Sequence, residues 1–205
     1  MDQNTANEIH EIFRFLNKLD YINPDEIPNI DIYMDQVTTF MDEHLAVFKR
    51  NDNDKILTKT MINNYTKSGV LPPPIKKKYT SEHMYLLIFL YYFKNVLSIS
   101  DIQEVLSPLN DRFYGGKSET MDIEGVYRSI FKMEQEQMDN LTKDVIRRLT
   151  SSKKLFADVE DPEERMVLSR FALICMLAYD AYIKRHIIHQ IIDNMSNEDE
   201  RTTDP

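Results

Sequence analysis

Only four glycines, Gly69, Gly115, Gly116 and Gly125, interrupt 205 residues, and no good run of alternating apolar and polar residues lies between them. A half-buried strand needs period-two alternation, whereas long side chains without glycine favour helices joined by short loops. The chain is therefore predicted to be all-α.

The apolar residues place the helices. Ile9, Ile12, Phe13, Leu16 and Leu19 form one stripe and predict a helix over Asn7–Tyr21. Proline at 24 and 28 makes a connector, and Val37, Phe40, Met41, Leu45 and Phe48 predict a second helix over 34–48. Thr58 is placed to cap a short helix that Gly69 stops. Pro72-Pro73-Pro74 forbids helix and stiffens the chain. Ser81 is expected to cap a helix to Lys94, apolar nearly all round. Ser100, with Gln103 three residues on, is expected to open another, followed by a loop over 110–118. Two long helices follow, at about 119–153 and 162–195, with a frayed polar tail from Ser196.

Several function classes lack their residues. Cys175 is the single cysteine, so neither an internal disulfide nor a cysteine-based zinc cluster can form. Its apolar neighbours Leu173, Ile174, Met176 and Leu177 predict an inert core thiol. His186 and His189 have a metal-compatible spacing, but two histidines without a converging third ligand read better as helix-surface side chains. Phosphate-binding glycine loops, nucleophile elbows and paired-carboxylate motifs are missing, so no enzyme, cofactor or metal is expected. The longest apolar runs, Leu86–Phe93 and Ala172–Tyr179, are too short to span a bilayer and predict buried helix. With no secretion signal at Met1-Asp2-Gln3-Asn4, the expectation is a cytoplasmic protein without a membrane role.

Charge is the exception to this plain picture. The chain carries a net −9, yet from Lys55 to Ser81 there is no acid, while Lys55, Lys59, Lys67, Lys76, Lys77 and Lys78 are all basic. On the helix inside this island, Thr60, Asn63, Asn64 and Lys67 lie at i, i+3, i+4 and i+7 and share one face. Met61, Ile62 and Tyr65 lie opposite, free to pack. A short helix anchored behind and offering amides, a hydroxyl and an ammonium in front suits a DNA major groove. The run Lys76-Lys77-Lys78-Tyr79 then offers three ammonium groups to phosphates. A solvated face and a solubilising charge run are the bland alternatives.

The order of these parts carries a resemblance. Ile62-Asn63-Asn64-Tyr65-Thr66-Lys67-Ser68-Gly69-Val70-Leu71-Pro72-Pro73 resembles the end of the recognition helix and the start of the wing in MerR-type regulators. Lys78-Tyr79-Thr80 is similar to that family's exit from the wing, and Leu97–Ile102 to its later turn and helix. The chain departs from the pattern at Asn63, where the family commonly carries an arginine. It departs again in a short wing without a glycine turn, which implies a proline-stiffened loop instead of a hairpin. Tyr33–Val37 and Leu57–Tyr65 further resemble a bacterial family known only as a domain of unknown function, thought to be related to MerR-type DNA binders.

The resemblance implies a MerR-like helix-turn-helix with a short wing over 31–115. It would follow an N-terminal helix and connector over 1–30 and precede a helical domain over 116–195 and a disordered tail over 196–205. It implies a transcription regulator that binds double-stranded DNA through Lys59, Thr60, Asn63, Asn64, Tyr65, Lys67, Lys76, Lys77, Lys78 and Tyr79, with no effector indicated. The residues alone leave open an adaptor whose basic segment docks an acidic protein. A homodimer is also expected from the family, although the helix at 119–153 is predicted to pack most of its apolar surface on the one at 162–195.

Overall fold

A computed structural model describes residues 3–16, 18 and 22–203. It is mostly helical, as the scarcity of glycine requires, with two short strands. The chain divides into two compact units, and the division falls inside one long helix, between Met133 and Glu134. Residues 22–133 make up most of the unit that carries the basic island. The Gly115-Gly116 loop, the expected domain end, lies within it.

In that unit a 3-10 turn (Pro24–Glu26) precedes strand β1 (Ile32–Tyr33), which runs directly into helix α2 (Met34–His44). The backbone N–H of Tyr33 donates to Gln36 Oε1 at 2.9 Å, so α2 is capped by its own third residue. The apolar spacing predicts that this helix reaches Phe48. It stops at His44, and Ala46–Phe48 tightens into a 3-10 turn. Helix α3 (Lys59–Lys67) follows, then strand β2 (Lys78–Tyr79), helix α4 (Ser81–Phe93) and helix α5 (Ile99–Phe113). β2 pairs antiparallel with β1, with Ile32 opposite Tyr79 and Tyr33 opposite Lys78.

Helix α4 is the axis of this unit. Its nine consecutive residues from His83 to Tyr91 are all buried, so it has no solvent face. Val37 and Met41 of α2, Ile62 of α3, Leu71, and Ile102 and Leu106 of α5 complete the core around it. Burial of such side chains contributes about 1.5–3 kcal/mol each. The two expected caps move by one and two residues. Thr80, in extended geometry, precedes α4 in place of Ser81. Ser98 caps α5 in place of Ser100, its hydroxyl accepting from Asp101 N at 3.2 Å while Asp101 Oδ2 accepts from Ser98 N at 3.0 Å. An aspartate at the third position closes this reciprocal pair better than Gln103 could from Ser100. α5 then continues to Phe113, through the first part of the expected loop.

The other unit comprises helix α1 (Gln3–Leu16), the second part of α6 (Ile123–Leu155) and α7 (Pro162–Thr203) as far as residue 194. The remainder of the predicted first helix, at 17 and 19–21, lies outside the described residues. α6 and α7 pack against each other within this unit. Arg148 reaches from α6 to the Met176 carbonyl at 3.2 Å and to Asp180 at 3.3 Å. It is also the main cause holding the Asp144 carboxyl below its usual range, while Lys184 leads for Asp180.

Three expectations fail on α7. The segment Ala172–Tyr179 is not buried helix: Ile174 and Tyr179 are 63% and 68% exposed. Cys175 is exposed too, so it is not a core thiol. α6 covers one side of α7, and the apolar residues run round to the other. The tail predicted to be disordered stays helical to Thr203, because no glycine or proline occurs after Pro162 until Pro205.

Candidate functional site

The basic island folds into a helix followed by a hairpin. Thr58 caps α3, its hydroxyl accepting from Met61 N at 3.2 Å. Gly69, at φ +77°, ends it in the left-handed region, and Leu71 N then donates back to the Tyr65 carbonyl at 3.1 Å. Ile62 and Tyr65 are buried on one side. Lys59, Thr60, Asn63, Asn64 and Lys67 are exposed on the other, the face that their spacing predicts.

Beyond Pro72-Pro73-Pro74 the chain makes a two-residue β-turn, correcting the expectation of a loop. Ile75 and Lys78 exchange both backbone hydrogen bonds at 2.9 Å, and Lys76 and Lys77 at the tip have φ of 50° and 67°. Two positive φ values between paired residues are the signature of the type I′ turn, which Asn-Gly favours and lysine resists. The turn is hidden in the sequence because its usual residues are missing. Holding a residue other than glycine in this region costs on the order of 1–3 kcal/mol. Both tip ammonium groups stand in solvent, while Lys78 is half-buried.

The β1–α2 junction fastens both parts. Asp35 forms an ion pair with Lys59 at the start of α3. Tyr33, two residues earlier, lies under the Lys78 ammonium, 5.4 Å from its ring centroid. Lys59 is thus partly neutralised, leaving Lys67, Lys76 and Lys77 as the more open cations.

Tyr65 and Tyr79 depart from the expected set. At 8% and 2% exposure they belong to the core, and burial raises the pKa of both hydroxyls. They support the polar surface from behind and are not part of it.

A buried polar network that no motif announces holds the hairpin's base. His83 is fully buried on α4. Its Nδ1 accepts from Thr80 N at 3.1 Å, which leaves the proton on Nε2, near the Pro73 carbonyl at 3.4 Å and Tyr114 Oη at 3.0 Å. Burial holds its pKa below the ordinary value. Asn110 Nδ2 donates to the Val70 carbonyl at 3.2 Å, tying down the strand that leaves α3. One signal for the network does exist in the sequence: a lone histidine inside an otherwise apolar helix needs a polar partner. Elsewhere, His186 lies edge-on to Tyr182, and no group of three or more metal-ligating side chains gathers among the described residues.

Residues 22–130 match the model of a family described as a domain of unknown function (DUF1836), and this span contains α2, α3, the hairpin and the His83 network. No curated protein and no solved structure matches the chain.

Proposed function

The chain belongs to the DUF1836 family, and from that premise we propose that it binds double-stranded DNA as a winged helix-turn-helix regulator of MerR-like type. In this reading α2 and α3 are the helix pair, α3 enters the major groove, and the 75–78 hairpin is the wing. Asn63 and Asn64 pair with base edges, where asparagine matches adenine, and Thr60 and Lys67 flank them. Lys76, Lys77 and Lys78 grip phosphates, and Lys59 contributes once released from Asp35.

One observation carries the reading. Two lysines occupy a turn that asparagine and glycine would take at lower cost, beside a helix whose exposed face has no acid. Strain at an exposed pair of cations is accounted for if those cations are used. The order strand, helix, helix, hairpin, helix also supports a winged arrangement.

The test is selection from a random duplex library at low salt, followed by sequencing. Enrichment of a defined motif is expected. Retention of no DNA, with capture of a single acidic protein through the same lysines, would replace this reading by the adaptor.

A further inference from the structure

We infer that the cleft between α1, the end of α6 and the start of α7 is a binding site for a carboxylate carried on a compact apolar body. The cleft encloses about 610 Å³, within the roughly 300–1,000 Å³ of small-molecule sites. It lies wholly in the unit without the basic island and outside residues 22–130. Neither the family match nor the proposed DNA contacts reach it.

Spacing within each helix builds the walls. Glu8, Glu11 and Ile12 share a face of α1, and Leu149, Ser152 and Lys153 a face of α6. Arg165, Met166, Ser169 and Leu173 share a face of α7. Leu149 is buried, and with Ile12, Met166 and Leu173 it makes more of the lining apolar than polar. Covering an apolar body there supplies affinity but no orientation, because the hydrophobic effect is non-directional. Orientation falls to the charged groups.

Those groups select the head. Glu8 is already matched: Lys153 Nζ lies 2.5 Å from its Oε2, and Arg170 lies 3.7 Å from its Oε1. Arg165 is different. It is half-buried, and among the described residues it forms no ion pair, reaching only the Glu160 carbonyl at 3.3 Å. A planar guanidinium with donors to spare, beside an apolar wall, suits a carboxylate, which accepts two parallel N–H bonds from it. Glu11 is exposed, where water and salt screen its charge. Three cations line the cleft against two carboxylates, which favours an anionic head over a cationic one.

Titration calorimetry of the full chain with octanoate, octan-1-ol and octylammonium separates head from body. Octanoate is expected to saturate one site per chain and to bind about tenfold or more tighter than the other two. Arg165→Gln should remove that preference. Ala157→Phe, which sets a ring into the cleft from an exposed position, should abolish octanoate binding with an unchanged circular dichroism spectrum. In methyl-labelled methionine spectra the Met166 signal, assigned through Met166→Leu, should shift when octanoate is added. Equal affinity for the three heads, tighter binding of octylammonium, or octanoate uptake that never saturates would overturn the proposal. So would octanoate binding that Ala157→Phe leaves intact. None of these readouts involves DNA, so this site stands or falls apart from the proposed function.

Discussion

The ammonium of Lys78 lies 5.4 Å from the ring centroid of Tyr33, across the register that pairs β1 with β2. Tyr33 is 54% exposed, so the ring would be poorly placed as core and is well placed as a platform. It holds one lysine of the hairpin while Lys76 and Lys77 project. Tyr33→Ala should cost about 0.5–1 kcal/mol in thermal stability, the usual worth of an exposed cation–π pair. Tyr33→Phe, which keeps the ring, should cost nothing measurable in the same melts.

The turn itself gives the sharpest separation of stability from binding. Replacing Lys76 by Asn and Lys77 by Gly places favoured residues at both left-handed positions. Thermal denaturation should show a gain of about 1 kcal/mol or more. DNA affinity should fall, and the slope of log K against log salt should flatten by about 0.9 for each phosphate that the hairpin no longer neutralises. A variant that is more stable and binds DNA as before would remove the hairpin from the interface.

Asn63→Ala and Asn64→Ala address specificity instead. Both side chains are exposed, so melting temperatures should stay close to the parent. Discrimination between the selected site and a single-base variant should drop by about 1–3 kcal/mol at the base each asparagine reads. Competition binding at fixed salt measures this. A uniform loss across all sequences would make them phosphate ligands.

His83 sets a pH dependence. Its folded-state pKa is lowered from about 6.5, chiefly by burial, so the unfolded chain takes up this proton first as pH falls. The stability it allows is present above about pH 6.5 and declines as pH drops through and below that value. Urea melts between neutral pH and the mildly acidic range should show a fall that His83→Gln reduces. An equal fall in both proteins would place its origin elsewhere.

Gly69→Ala should cost about 1–2 kcal/mol in a urea melt. Nothing lies within 4 Å of where its Cβ would stand, so the cost comes from φ +77° and not from a clash.

What the sequence made legible was local and periodic. Thr58 and Gly69 bounded α3 to within one residue, and spacing alone placed Thr60, Asn63, Asn64 and Lys67 on one exposed face. Tertiary choices were not legible. The hairpin at Ile75–Lys78 was hidden because its turn residues contradict turn preference. Tyr65 and Tyr79 read as site residues because the MerR-type resemblance carried them, although spacing already set Tyr65 on the packing side of α3. α7 read as buried because apolar composition gives the need for cover but not whose surface supplies it.

The nine buried residues of α4 have a kinetic consequence. A helix with no face toward water cannot lift away alone, so its amide hydrogens should exchange with deuterium only through global opening of the unit around it. The hairpin amides should exchange by smaller, local openings. The slowest α4 amides thus clock the whole unit's unfolding, against which any tightening of the hairpin by a bound duplex can be read separately.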